Sequence, residues 1–486
     1  MEGQIKMRKL DILIVKPGLQ KGAFGGLDDF ELTAIEPPLW GAILAGYLRK
    51  LGYGVGMVDL EIDPLPDRIN APLVMISVSG HNPSASTIYM DETIRLADVI
   101  KQQNPEVKII VHGIHPSALP AQIVIEPNID FVCQGEGFET LPALINMLRE
   151  EGEIGSLPGL WYNPKGVFRI IGPNPPPLLD LSLLPMPAWD LLPMAKYRDH
   201  NWHCFDDIQN RSPYVAIYTS LGCCYNCSFC NTNALFGKAR IRYRPVPAVI
   251  DEIDFLVKNY GIRNIKIADE LFCLKEDRVV AICDQIIERG YDLNMWAYAR
   301  IDTITLLMLE KMKQAGFNLV SYGIESGSKR VLQQTRKQYN PNLVLDVIQI
   351  TRDAGLIPQG NFIFGLPEDD FDSMQQTLEM VFETETEWPN FYVAMAYPGS
   401  RLYTETDPSV LPVKWSGYSQ YSYDCQPLPT KYLTPGEVLA FRDYAFHAYF
   451  ENPRYLDMMQ DKFGSDIVNH IKDMTKIKLK RKLLGD

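Results

Sequence analysis

Several things are scarce in this chain, and each absence narrows what it is. No stretch of the 486 residues approaches the roughly 18 consecutive apolar residues of a membrane-crossing helix. The first residues, Met-Glu-Gly-Gln-Ile-Lys, carry no apolar signal-peptide core. Both absences predict a cytoplasmic protein with no transmembrane segment. Positive charge is short as well. The 47 Lys and Arg are outnumbered by 60 Asp and Glu, for a formal net charge of −13, and so acidic a body is a poor nucleic-acid partner. Cysteine is rare, odd in number (nine) and clustered. That argues against a disulfide framework and for metal or redox use in a reducing compartment. Internal repeats and low-complexity blocks are missing. What remains, 46% hydrophobic and 22% charged residues, is ordinary for a globular chain of two or three domains.

Four of the nine cysteines fall between residues 219 and 230, in Thr-Ser-Leu-Gly-Cys-Cys-Tyr-Asn-Cys-Ser-Phe-Cys. Cys223, Cys227 and Cys230 are spaced Cys-x3-Cys-x2-Cys. Three thiolates on one short loop can hold three irons of a [4Fe–4S] cluster and leave the fourth iron open to a small molecule. Electron-carrying clusters normally use four cysteines, so a cluster one ligand short points to chemistry on the iron. Two other readings of the spacing stay open. Cys224, Cys227 and Cys230 spell the Cys-x2-Cys-x2-Cys of a ferredoxin, which needs a fourth cysteine, and none follows until Cys273. A zinc site on Cys227 and Cys230 would want a second Cys/His pair about 12 to 20 residues on. Residues 231 to 260 hold neither, although His203 and Cys204 lie upstream.

Periodicity divides the chain into an α/β protein of four parts. Residues 1 to 150 alternate strands (9 to 16, 54 to 59, 72 to 78, 108 to 111, 131 to 133) with helices (39 to 51, 84 to 103, 138 to 150), the pattern of a doubly wound, Rossmann-like parallel sheet. Ligands of such sheets bind at the strand carboxyl ends, here Gly18 to Gly26, Ser79 to Pro83, His112 to Pro116 and Gln134 to Gly137. Residues 151 to 208 are proline-dense and read as a connector with little regular structure. From 209 to 404 the alternation resumes, with strands near 214 to 219, 264 to 268, 293 to 298, 318 to 323, 359 to 364 and 391 to 396. Six strand–helix units predict a partial (β/α)6 barrel whose active face is the strand C-termini, and the cysteine loop follows its first strand. Residues 405 to 486 read as a small, mainly helical region, with helices at 435 to 450 and 464 to 480. Lys472, Lys476, Lys478, Lys480, Arg481 and Lys482 make its end basic, either a solvated last helix or a weak contact for an anionic surface.

The ordered set of motifs resembles the cobalamin-binding radical S-adenosylmethionine enzymes from about residue 9 to 404. The motifs are the cysteine run with Phe229 before its last cysteine, Ile267-Ala-Asp-Glu-Leu-Phe272, Ala299-Arg300-Ile-Asp302, Tyr322-Gly-Ile-Glu-Ser-Gly327, Phe364-Gly-Leu-Pro367 and Tyr397-Pro-Gly399. In the N-terminal half, Glu36-Pro-Pro38, His112-Gly-Ile-His-Pro116 and Gln134-Gly-Glu-Gly137 fit the cobalamin domain.

The resemblance implies three cofactors: a [4Fe–4S] cluster on Cys223, Cys227 and Cys230, S-adenosylmethionine, and cobalamin. One-electron cleavage of S-adenosylmethionine would release a 5′-deoxyadenosyl radical that abstracts a substrate hydrogen. Phe229 and Ile363 would lie against the adenine, the latter in a stretch where the family more often has Gly at the place of Asn361. Arg300 and Glu325 would take the methionine carboxylate and the ribose, a carboxylate being suited to the guanidinium fork. Ser79, His81, Gly113, His115, Gly135 and Gly137 would line the cobalamin site. The Asp-x-His-x2-Gly motif that supplies a lower cobalt ligand is absent, His112 stands where the family usually has Gly, and His81 is the candidate nearest the lower face. The expected cobalt is base-off without a His ligand. The activity implied is methylation of an unactivated carbon or of phosphorus in a small-molecule substrate. Alternatives are radical rearrangement, cyclisation or ring contraction with the same cofactors, or a non-catalytic cobalamin or iron–sulfur sensor. The reductant implied is a flavodoxin or ferredoxin. The motifs name no catalytic acid or base.

Overall fold

The computed structural model describes residues 9–18, 33–78, 85–150, 152, 155–164 and 171–486. The candidates Ser79 and His81, the rest of the Ser79 to Pro83 loop and residues 19 to 26 of the Gly-rich loop lie outside them. The chain forms two compact units that are not continuous in sequence. The first takes residues 1–20, 37–194 and 231–238, the second residues 21–36, 195–230 and 239–486.

The first unit is a six-stranded sheet of β1 (Ile12–Lys16), β2 (Val55–Asp59), β3 (Leu73–Val78), β4 (Lys108–Gly113), β5 (Phe131–Cys133) and β6 (Leu160–Tyr162). Its order is β2-β1-β3-β4-β5-β6, parallel throughout except that β6 runs antiparallel to β5. β1 and β3 are buried at every residue, as strands covered on both faces must be. The order reverses between β1 and β3, the switch point where such sheets open a crevice. Two readings of the sequence need correction. The helix expected over 84 to 103 is two, Ala85–Ile88 and Met90–Gln103. The connector is more structured than its prolines imply, since Leu160-Trp-Tyr162 adds β6 and makes the sheet mixed. A three-residue strand is too short to carry a readable alternation.

The second unit holds six parallel strands: β7 (Tyr214–Ile217), β10 (Asn264–Ile267), β11 (Asn294–Arg300), β12 (Phe317–Glu325), β13 (Ile357–Phe364) and β14 (Trp388–Val393). They pair in sequence order, and among the described residues β7 and β14 are free edges, which is the open partial barrel the sequence predicts. A short antiparallel pair, β8 (Ser220–Leu221) and β9 (Arg242–Tyr243), sits beside the cysteine loop. Alternation sorts the faces. Phe362 and Phe364 point outward, Phe364 lying 5.2 Å from Phe441 of the helix Pro435–Phe450. Gln359, Asn361 and Ile363 therefore face the interior. Register carries that face across the sheet, through Tyr298, Ser321, Gln359 and Trp388 in one layer and Arg300, Gly323, Asn361 and Asn390 in the next.

The helix Pro435–Phe450 begins at a capping box between Thr434 and Glu437. The helix expected over 464 to 480 ends at Thr475, and a separate helix, Pro453–Phe463, precedes it. Gly464, at φ +84°, divides the two. Arg481 leaves the basic cluster altogether. It is buried, forks onto Asp443 at 2.9 and 3.0 Å, and donates to the Gln420 carbonyl at 2.7 Å.

Candidate functional site

β7 and β8 lead into the cysteine loop, at the carboxyl end of the barrel strands. Cys223, Cys227 and Cys230 are half-buried and Cys224 is exposed. The loop is pinned on both sides. Ser228 donates its N–H to the Thr335 carbonyl at 2.9 Å, and its own carbonyl accepts from Leu402 N–H at 2.7 Å. Burial raises the Cys223 thiol to about 11. Burial also raises Cys227, against the pull of Lys337 and Arg300. A thiolate cluster carries negative charge, and these two cations stand where they offset it. Three half-buried thiols on one loop, two cations and an exposed fourth cysteine fit a three-cysteine cluster. The group that gathers three ligand atoms within 4.8 Å, as a single ion would need, is elsewhere among the described residues: Asp199, His203 and Cys204. That arrangement does not complete a zinc site with Cys227 and Cys230.

Arg300 ends β11. Its Nε and Nη2 bind both oxygens of Asp302 at 2.9 Å, Nη2 also donates to the Lys337 carbonyl at 2.8 Å, and the guanidinium lies 3.8 Å over the Tyr225 ring. Most of its fork is thus committed to holding the cysteine loop and the 335–339 segment. Glu325 ends β12 with φ +66°, unusual for a side chain with a Cβ, and its carboxylate accepts from Lys337 Nζ at 2.8 Å. Arg336 and Gln338, on either side of Lys337, also have positive φ, +59° and +52°. Such conformations cost about 1–3 kcal/mol each and gather at ligand sites. Lys337 is a site residue that sequence reasoning missed, because it lies in no strand end. Its one signal was the spacing of 12 residues from Glu325 across a single short helix, Lys329–Gln334. Phe229 and Ile363 come together on one apolar patch, both packed against Val331, Leu366 and Ala394. Asn361 donates to Ser321 Oγ at 2.9 Å and to the Tyr322 carbonyl at 3.0 Å, and accepts from Asn390 at 2.9 Å. It is a strut between strands where a glycine would leave a gap.

Glu36, grouped by its motif with the cobalamin domain, belongs to the barrel unit. Its carboxylate accepts from Lys266 Nζ at 3.0 Å and Tyr214 Oη at 3.1 Å, inside the strands.

In the first unit, His112 lies near the end of β4 and His115 in the short helical turn, Ile114–Ala118, that follows it. Both are buried, and burial drives the imidazoles down to about 4 and about 3, so both are neutral. His112 bonds the Gly135 carbonyl at 3.0 Å and stacks on Trp40. His115 pairs with Thr87 Oγ1 at 3.2 Å. These contacts tie the strand ends together and turn neither ring toward solvent. Gly113, Gly135 and Gly137 all have positive φ, and a Cβ on Gly113 would stand 2.5 Å from the Val78 carbonyl. A Cβ on Gly135 would meet Pro175 at 3.1 Å and one on Gly137 would meet Leu141 and Cys133 at 3.4 and 3.5 Å, so the three glycines serve the tight turns and close packing at the carboxyl ends of β4 and β5.

The comparisons agree with this layout. The B12 binding domain family matches residues 30–145 and the Radical SAM superfamily residues 217–381. An uncharacterized methyltransferase of Pyrococcus horikoshii is 29% identical over 86% of this chain and 89% of its own. The anaerobic magnesium-protoporphyrin IX monomethyl ester cyclase of Rubrivivax gelatinosus is 25% identical over 92% and 78%. A Methanocaldococcus jannaschii protein named as a methylthiotransferase is 30% identical over 76% and 77%. Among solved structures, the radical S-adenosylmethionine methyltransferase TsrM of Kitasatospora setae shares the fold, with a TM-score of 0.64 at 16% identity over 90% of this chain and 88% of that one. With both family domains present in order and the cysteine loop, Arg300 and Glu325 at the strand ends, the chain belongs to the cobalamin-binding radical S-adenosylmethionine enzymes.

Proposed function

We propose that the chain methylates an unactivated carbon of a small molecule by radical chemistry. The observation that carries the reading is the cysteine loop seated between Arg300 and Lys337 at the mouth of the barrel, in a chain that also holds the B12 binding domain. The chemistry supplied by the bound groups is reductive cleavage of S-adenosylmethionine at the cluster and methyl donation from a corrinoid. The protein's part is to bind, orient and exclude water. Cys223, Cys227 and Cys230 hold the cluster. Phe229 and Ile363 offer the adenine an apolar wall. Glu325 takes the ribose hydroxyls. Arg300 and Lys337 present positive charge to the methionine carboxylate. Gly113, Gly135 and Gly137, with His115 behind them, shape the carboxyl edge of β4 and β5 where the corrin would bind, and Ser79 and His81 complete the set. A flavodoxin or ferredoxin supplies the electron in the cytoplasm.

The test is anaerobic turnover with titanium citrate and the substrate. Methylation requires 5′-deoxyadenosine and S-adenosylhomocysteine in about equal amounts, one S-adenosylmethionine being spent on the radical and one on the methyl group. The likeness to a cyclase over 92% of the chain favours radical ring closure as the second reading. Sustained product and 5′-deoxyadenosine without S-adenosylhomocysteine would select it. No cleavage of S-adenosylmethionine under any reductant would leave the non-catalytic sensor.

A further inference from the structure

The reaction has no use for Asp199, His203 and Cys204, yet a carboxylate, an imidazole and a thiol meet there within 4.8 Å of one another. All three are buried. His203 and Cys204 are presented by one short 3-10 turn, Asn201–Cys204, just after Asp199. Asp199 is tied down at both ends. Its N–H donates to the Arg211 carbonyl at 2.8 Å, and its Oδ1 accepts from the His200 N–H at 2.7 Å. Its Oδ2 accepts from His203 Nδ1. The second ring nitrogen, Nε2, is buried and bonds nothing among the described residues, so the imidazole has one nitrogen to give without breaking another bond.

The turn sits at the floor of the barrel. Asn264 opens β10 and Asn294 opens β11, side by side. Asn294 Nδ2 donates to Cys204 Sγ at 3.6 Å and to Asn264 Oδ1 at 2.9 Å, and Asn264 Oδ1 stands 3.8 Å from the same sulfur. Both amides are held in that orientation from behind. Asn264 Nδ2 donates to the Asn210 carbonyl at 3.0 Å, and Asn318 Nδ2 donates to Asn294 Oδ1 at 2.9 Å. An amide N–H fixed on a sulfur is the outer support that a metal-bound thiolate uses, as a carboxylate on the far ring nitrogen is for a metal-bound histidine. Arg300 lies six residues along β11 from Asn294, about 20 Å at the rise of a strand. This floor is therefore remote from the cysteine loop, at the strand ends where such barrels lodge stability rather than chemistry.

We propose that Asp199, His203 and Cys204 bind one zinc ion, a structural site that clips the end of the connector to the amino ends of the barrel strands. Thiolate, imidazole and carboxylate are zinc's ligands. Bonds of about 2.0–2.3 Å set tetrahedral ligand atoms about 3.3–3.8 Å apart, so the group is already near the size of a site. Asn264 Oδ1, 3.8 Å from the sulfur, is the fourth donor. The charges close as well. The thiol proton leaves as the ion enters, the imidazole stays neutral, and one carboxylate and one thiolate cancel the two charges of the ion, as burial demands. The ion takes the place of that proton and needs no cavity of its own. Such a site is independent of whether the reaction is methyl transfer.

The test counts zinc in the full chain, expressed with zinc sulfate in the medium, reconstituted with its cluster and dialysed. Elemental analysis is expected to give about one zinc per chain beside about four irons. X-ray absorption at the zinc edge is expected to show about one sulfur at about 2.3 Å, the remaining neighbours being nitrogen or oxygen. Zinc with three sulfur neighbours would sit on the cysteine loop and overturns the site. So does less than about a tenth of a zinc per chain. Both results are read on the unaltered protein and need no variant to fold. Cys204→Ser and His203→Gln should each weaken zinc at least about tenfold in competition with a chromophoric chelator, and leave the iron content unchanged. A folded variant of either kind that keeps its zinc affinity overturns the ligand set. Neither S-adenosylmethionine nor substrate is present, so failure of methyl transfer and failure of this site are told apart.

Discussion

Replacing Lys337 by Met tests whether the Glu325–Lys337 pair organises the site. Both side chains are nearly buried, 8% and 9% exposed, with Nζ and Oε1 2.8 Å apart. Burial works against the Lys337 ammonium, but Glu325 and Cys227 more than compensate and raise its pKa. Losing the cation leaves a carboxylate in a dry site beside a thiol, and breaking one side of a buried pair costs about 3–5 kcal/mol. At about 2–4 °C per kcal/mol for a unit of this size, the unfolding midpoint of the barrel unit should fall by roughly 6–20 °C. The double variant Glu325→Gln/Lys337→Met removes both charges and should recover most of the loss, since the penalty belongs to the stranded partner. Differential scanning calorimetry of the cluster-free protein measures all three transitions without interference from iron. If the double variant melts as low as Lys337→Met, the two residues do not act as a pair and the electrostatic account of this site is wrong.

Four further outcomes follow from the geometry. Iron and sulfide analysis after reconstitution should give about four of each per chain, lost in Cys223→Ala, Cys227→Ala and Cys230→Ala but kept in Cys224→Ala, the exposed member. The reverse pattern for Cys223 and Cys224 would establish the ferredoxin-like register. Asn361→Gly removes the strut to Ser321 and Asn390 and should lower barrel stability by about 1–3 kcal/mol, read as a drop in melting midpoint; an unchanged midpoint would refute the strut. His115→Ala should leave the electron paramagnetic spectrum of the Co(II) state without any change in nitrogen splitting, because His115 is buried and engaged with Thr87. Burial pushes the Asp443 carboxyl up, but Arg481 and Arg442 outweigh it and hold the pKa below the ordinary value. The stability it contributes is therefore present above about pH 4 and lost as pH falls through its folded value. Limited proteolysis should release the residues after 476 faster below that pH, and Arg481→Met should show the fast rate at neutral pH.

The parts of this protein that were legible are those where one period dominates or one spacing carries the chemistry. β1, β3 and β4 are continuous apolar runs, and the helix Pro435–Phe450 announces itself by Thr434 and Glu437. The cysteine loop is local, so its spacing is visible in eight residues. What was hidden is what the chain assembles from far apart. Lys337 matters through Glu325 and Cys227, and nothing at position 337 itself says so. Glu36 reads as part of a Glu-Pro-Pro turn, and its partners are 178 and 230 residues away. Arg481 reads as one of six basic residues in a tail, and only Asp443, 38 residues earlier, reveals it as a staple.

The interleaving of the two units has a consequence for how the protein is made. Chains emerge from the ribosome at about 5–20 residues per second, and the N-terminal domain usually folds first and alone. Here the first unit is finished only by residues 231–238, where Phe236 packs 5.7 Å from Trp40. The second unit starts with residues 21–36, so Glu36 must wait until Lys266 has been synthesised before its charge is met. Neither unit can be completed before the ribosome has passed the cysteine loop. The cysteine loop emerges just ahead of residues 231–238, which close the first unit, while the second still awaits residues 239–486, so the first unit can be complete about 250 residues before the second.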